Sequence, residues 1–165
     1  MMEDPRYKRQ MVSLMIILGI TFQTGFSNDG FSSSDSTIHQ QTVFLDTING
    51  YINQWLYDSD ISWEERLHRL DSMKNYCQNV FGETSPSTAY LLHKKGVLMH
   101  YKGMYGDPDA YLSAIEFYQQ AIDQRMLLSD KVEYDMIKDV IQGYMNIGTC
   151  YRLINDPYNA YKYQL

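Results

Sequence analysis

Two stretches decide how this chain is read: Val97-Leu-Met-His-Tyr-Lys-Gly-Met-Tyr-Gly-Asp-Pro-Asp-Ala-Tyr111 and Ile147-Gly-Thr-Cys-Tyr-Arg-Leu-Ile-Asn-Asp-Pro-Tyr-Asn-Ala-Tyr161. Laid over one another, they pair Val97 with Ile147, Tyr101 with Tyr151, Lys102 with Arg152 and Met104 with Ile154. Ala110 then meets Ala160 and Tyr111 meets Tyr161, while Asp107-Pro108 meets Asp156-Pro157 with one residue of slack. A further shift brings Tyr51 under Tyr101, with little else in agreement. Fixed-period similarity of this kind marks a repeated supersecondary unit. A unit of two helices cannot bury its own apolar face, whereas stacked neighbours can.

Working outward, each segment has helical spacing and local start and stop signals. Over 38–57, Ile38, Phe44, Leu45, Ile48, Ile52, Trp55 and Leu56 recur largely at steps of three and four. Asn49-Gly50 interrupts that helix, and the dipeptide also suits a turn. Ser62-Trp-Glu-Glu65 reads as a capping box opening a helix over 63–81, with Gly82 placed for a left-handed C-terminal residue. Ser85-Pro86 puts a cap and a first-turn proline ahead of the next helix. Gly96 lies inside that helix and costs about 1 kcal/mol against Ala, which suits close passage of another helix. Asp107-Pro108 predicts a helix over 108–127, Asp130-Lys-Val-Glu133 another cap, and Asp156-Pro157 a last helix. No strand alternation of any length competes.

Here the chain resembles the tetratricopeptide repeat family. The second copy carries the likeness most clearly, in Ile147-Gly148, Tyr151 and Ala160. Leu98 replaces the Gly in the first copy, where Tyr101 and Ala110 fit with one residue inserted. The unit is longer than the roughly 34 residues usual in the family. Residues Val80-Phe-Gly-Glu-Thr-Ser-Pro-Ser-Thr-Ala-Tyr-Leu-Leu92 look like the long-helix variety found in kinesin light chains and many bacterial multirepeat proteins. The resemblance implies an all-α fold over 37–165, with antiparallel helix hairpins stacked as a short right-handed solenoid of about two and a half units, the last truncated.

It also implies a concave groove, lined by the first helix of each unit, that receives a peptide or protein segment. The groove positions are Asn49 and Asn53, then Lys95, Met99 and Lys102, then Gln142, Thr149 and Arg152. Lys95, Lys102 and Arg152 would offer three cations to an acidic or carboxylate-bearing segment. Met99 stands where the family's carboxylate clamps need an Asn, so that activity is not carried over.

The first 27 residues read as an address. Arg6, Lys8 and Arg9 precede an uncharged run from Met11 to Phe22, and Gly25-Phe26-Ser27 offers small residues for cleavage. That order is a signal-peptide pattern. As a helix the run rises about 18 Å, short of a ~30 Å hydrocarbon core. Export is therefore expected, without stable membrane insertion once the signal is removed; an uncleaved anchor is the alternative. Asn28–Ser36, with its Ser, Asp and Gly, reads as a flexible link.

The chain has 165 residues, 44% of them hydrophobic and 14% aromatic, which is globular composition. Its net charge of −6 gives no electrostatic footprint for nucleic acid. Cys77 and Cys150 are too few for a disulfide framework and read as buried thiols on helical stripes. Glu65-x-x-His68 has half of a di-iron spacing but no second half, and His93 and His100 are about 10.5 Å apart along a helix. No nucleophile, phosphate-loop or dinucleotide motif is present. The expectation is no catalytic residue, no metal and no cofactor. Of fifteen Tyr, six (Tyr101, Tyr111, Tyr118, Tyr144, Tyr151 and Tyr161) fall at helix-packing positions and read as core.

The expected function is thus an exported protein-interaction scaffold. The alternative is the N-terminal sensory or docking region of a larger signalling or effector protein whose catalytic domain lies outside this chain.

Overall fold

The computed structural model describes the backbone of residues 33–128 and 134–164, and the side chains of 44–128 and 137–163. The expected signal peptide, most of the link after it and the Asp130–Glu133 cap lie outside these residues. Six helices make up the described chain: α1 Ser33–Leu56, α2 Trp63–Phe81, α3 Pro86–Met104, α4 Ala110–Leu127, α5 Tyr134–Leu153 and α6 Pro157–Gln164. No strand occurs among the described residues. The chain divides between Gly50 and Tyr51 into two compact units.

In the first unit the described residues are helical throughout, beginning at Ser33, so the last residues of the expected link are already helix. Phe44 and Ile48 bury one turn apart. Asn49-Gly50 makes no turn, and α1 runs on through it. The helical penalty of one Gly, about 1 kcal/mol, is too small to break a helix anchored by apolar residues on both sides.

The second unit packs its helices in chain order: α2 on α3, α3 on α4, α4 on α5 and α5 on α6. Partner residues run in opposite senses, as in Asp71 with Lys95 and Trp63 with Tyr105 across α2 and α3. Glycines bring α3 and α4 into close approach. A Cβ added to Gly96 would sit 2.6 Å from the Tyr118 ring, and one added to Gly103 would sit 2.6 Å from the Tyr111 ring. Glycine is thus what lets the two backbones meet over buried aromatic rings. His93 and His100, one turn before each glycine, meet the same two rings edge-on at centroid distances of 5.2 and 5.7 Å. Gly143 repeats the device against Ile122 between α4 and α5.

Helix starts follow the sequence signals in part. Ser62 Oγ accepts from the Glu65 N–H at 3.1 Å, but Glu65 does not complete the expected box; its carboxylate accepts from Arg69 Nε at 2.9 Å. Ser85 Oγ accepts from the Thr88 N–H at 3.1 Å, with Pro86 in the first turn. Asp156 Oδ1 accepts from the Asn159 N–H at 3.1 Å. Asp107 does not cap: its carboxylate turns back to Lys102 Nζ at 3.1 Å, and α4 begins at Ala110 rather than 108.

The ends of α3 and α5 close in the same way. After α3, Asp107 N–H bonds to Lys102 O and Gly106 N–H to Gly103 O; after α5, Asp156 N–H bonds to Tyr151 O and Asn155 N–H to Arg152 O. These are the paired bonds of a Schellman motif. The residue each motif needs in the left-handed region is Gly106, at φ 108°, and Asn155, at φ 60°. Asn is the non-glycine residue that tolerates this best.

Candidate functional site

The eight expected groove residues fall into different circumstances. Asn49, in the first unit, is exposed, and so is Asn53, whose side chain accepts from Lys94 Nζ at 3.2 Å. Lys95 is only 7% exposed. Its ammonium pairs with Asp71 Oδ1 at 2.8 Å and lies 4.1 Å from the Phe117 ring centre, so it is not a cation held out for a ligand. Met99, one turn on, is buried. Lys102 is partly exposed and occupied with Asp107. On α5, Gln142 and Arg152 are exposed and Thr149 is half-buried, its hydroxyl donating to Met145 O at 2.9 Å. Of the three expected cations, Arg152 alone is exposed, and it pairs with no carboxylate among the described residues.

The tyrosines divide as well. Tyr111 and Tyr118 are core, and burial pushes both hydroxyl pKa values upward. Tyr101 and Tyr151 are half-buried, each against another tyrosine: Tyr57 edge-on at 5.1 Å and Tyr163 stacked at 5.7 Å. Tyr144 and Tyr161 are exposed rather than core, because α5 and α6 have no further helix packed over them among the described residues.

An aromatic cleft in the second unit was not foreseen in the sequence. It encloses about 340 Å³ between the end of α1, the loop 57–62, the start of α2 and the end of α3. The rings of Tyr57, Trp63, Tyr101 and Tyr105 line it, together with aliphatic and serine side chains of 56–62. Tyr105 is 78% exposed, and its ring tilts against Trp63 at 5.9 Å. Tyr57 meets Tyr101 edge-on, and burial followed by the interaction with Tyr101 raises the Tyr57 pKa.

Arg66 closes the cleft beneath these rings. It is 5% exposed, and its guanidinium carbon lies 4.4 Å from the Trp63 ring centre. Nη1 donates to Leu56 O at 3.1 Å and Nη2 to Asp58 O, while the buried Nε has no partner. Burial lowers its pKa, opposed by the charge of Asp58. Both terminal nitrogens thus serve neutral carbonyls, and among the described residues no carboxylate stands within ion-pair distance. A buried guanidinium with no carboxylate in direct contact is costly and favours an anion nearby. The only sequence signal was Trp63-x-x-Arg66 beside a Tyr101/Tyr105 pair one turn apart, and nothing local says these two sets meet.

A second polar cluster lies under α3. Arg125 Nη2 donates to Asp139 Oδ2 at 2.9 Å, while Arg125 Nη1 and His93 Nδ1 are buried without partners among the described residues. Burial, and then the Arg125 charge, holds His93 down to about 4, so it is neutral near pH 7.

The folding also brings His100 Nδ1 to 3.6 Å from Cys150 Sγ, a cysteine–histidine pair that no local motif announced. Burial pushes the Cys150 thiol up to about 12 and lowers the His100 pKa, so the proton stays on sulfur and the ring stays neutral. Nucleophilic chemistry needs the opposite charge state. Cys77 is likewise buried, free and pushed up to about 12. Among the described residues, no three His, Cys, Asp or Glu side chains converge to hold a metal ion. No helix of the described residues is long and apolar enough to cross a membrane.

No family model, curated protein or solved structure matches this chain.

Proposed function

We infer that the chain is a docking scaffold of the tetratricopeptide kind, exported by its N-terminal segment and without chemistry of its own. Its hairpins would stack as a short right-handed solenoid and receive a protein or peptide segment along the first helix of each unit. The observation that carries this reading is on α5. Ile141 and Met145 are more than half exposed there and share one stretch of surface with Gln142, Thr149 and Arg152. Large apolar side chains held in water beside hydrogen-bonding groups and an exposed guanidinium are what a docking surface needs. The matching turns at Gly106-Asp107-Pro108 and Asn155-Asp156-Pro157 support the repeat on which the groove depends.

The test is a peptide array probed with the full chain. Saturable binding to a subset of linear peptides, weakened by Met145→Ala with Arg152→Glu at unchanged thermal stability, is the expected result. Binding no better than to scrambled sequences overturns the reading.

A further inference from the structure

We propose that the cleft of Tyr57, Trp63, Tyr101 and Tyr105 over Arg66 is an anchor pocket, taking one ring-bearing side chain of the partner segment with a neighbouring carboxylate turned toward the guanidinium. This rests on the scaffold reading and names the chemistry of its ligand.

The size of the cleft fixes the first half. Its 340 Å³ lies at the lower end of the range of ligand pockets, room for a single ring rather than a folded element. Four aromatic walls suit a flat apolar group, which packs against rings edge-on or offset. The walls are already in place: Tyr57 is braced on Tyr101, and Trp63 is held between Arg66 and Tyr105. An incoming ring therefore loses little to reorganisation.

The sign of charge fixes the second half. Rings alone would equally suit a cation, which binds over an aromatic face. Here the Trp63 face is already covered by Arg66, and a second cation would meet a buried positive charge. The two terminal nitrogens of that charge are spent on Leu56 O and Asp58 O, neither an anion, and Asp58 offsets the charge only from a distance. A carboxylate at the mouth supplies what the fold leaves out. The net charge of −6 limits how acidic the partner segment can be. A long acidic run would be repelled by the whole molecule, whereas one carboxylate beside a ring gains the local attraction without that cost.

The experiment follows Trp63 fluorescence of the full chain during titration with two peptides, acetyl-Gly-Glu-Phe-Gly-amide and acetyl-Gly-Lys-Phe-Gly-amide, and with phenylacetate. The Glu-Phe peptide should bind saturably and at least about tenfold more tightly than the Lys-Phe peptide. Tyr105→Ala, at an exposed position, should cost about tenfold in affinity with an unchanged melting temperature. Arg66→Lys, which keeps the charge and loses the fork, should weaken binding less than Arg66→Met. Equal affinity for the two peptides, or full affinity in Tyr105→Ala, overturns the proposal. Phenylacetate binding as tightly as the Glu-Phe peptide also overturns it, since the cleft would then serve a small aromatic acid. Array binding that survives Tyr105→Ala leaves the scaffold standing and removes only this pocket. Array binding by the parent chain no better than to scrambled sequences removes the scaffold reading itself.

Discussion

Gly96 lies directly against the ring of Tyr118, and an added methyl group at Gly96 would come within 2.6 Å of ring carbon Cδ1. The ring cannot retreat, because Tyr118 is buried and His93 meets it edge-on. Two effects of opposite sign therefore meet in Gly96→Ala. Helix propensity gains about 1 kcal/mol, and overpacking costs about 1–3 kcal/mol. The steric term should win, giving a net loss of up to about 2 kcal/mol in chemical denaturation. Pairing Gly96→Ala with Tyr118→Leu should recover part of it, so a double-mutant cycle should give a favourable coupling. Gly50→Ala is the counterpart: nothing lies within 4 Å of its added Cβ, so that variant should gain up to about 1 kcal/mol. A stabilised Gly96→Ala would mean that α3 and α4 are not in this contact.

Lys95 and Asp71 make an asymmetric pair. The ammonium is buried and the carboxylate is about half exposed. Removing the carboxylate strands a buried charge, whereas replacing the lysine with an apolar chain of similar length removes the need for a partner. Asp71→Asn should therefore lose about 1–3 kcal/mol, and Lys95→Met should stay within about 1 kcal/mol of the parent. Urea midpoints of the two variants decide it. The reverse order would show that the ion pair itself is net stabilising.

His93 gives stability a pH dependence whose sign is fixed. The unfolded chain takes up its proton near 6.5, and the folded chain does so only near 4, because burial and Arg125 disfavour the cation. Stability is complete above pH 6.5 and is lost progressively as pH falls from 6.5 toward 4. At about 1.4 kcal/mol per unit, the loss reaches about 3 kcal/mol by pH 4. His100, also lowered by burial, adds in the same direction. Denaturation midpoints measured between pH 7.5 and 4.5 should fall, and His93→Gln should remove most of that slope. An unchanged slope in His93→Gln would place the acid sensitivity elsewhere.

What the sequence made legible was local. Ser62, Ser85-Pro86, Gly82 and Asp156 signal helix ends through bonds to residues three or four positions away, and all four do so in the structure. Gly96 could be read as a close approach, although its partner could not be named. Asp107 misled because Lys102, five residues back, outcompetes the backbone for its carboxylate. Lys95 misled because its burial depends on Asp71, on a different helix. The aromatic cleft was unreadable for the same reason: Trp63 and Arg66 come from α2, Tyr101 and Tyr105 from the end of α3. A long-range contact leaves no trace in spacing, which reports only which residues share a helix face.

The two thiols supply the last prediction. At pH 8, a thiol with a pKa near 12 is ionised to only about one part in ten thousand, and both Cys77 and Cys150 are also closed to solvent. Reagent must therefore wait for the fold to open. With 5,5′-dithiobis(2-nitrobenzoate), the native chain should label slowly at both sites, and the rate should rise with urea in step with unfolding. His100 sets a sharper condition. If it merely packs beside Cys150, His100→Ala should alter labelling only as far as it alters stability. If it withdraws the thiol proton, His100→Ala should slow Cys150 specifically, and the parent should show rapid labelling of a single thiol at pH 7. A 3.6 Å contact in which burial keeps the proton on sulfur and the imidazole neutral predicts the first outcome. A native-state burst at Cys150 would mean that an activated thiolate exists there, and the chain would then have chemistry of its own.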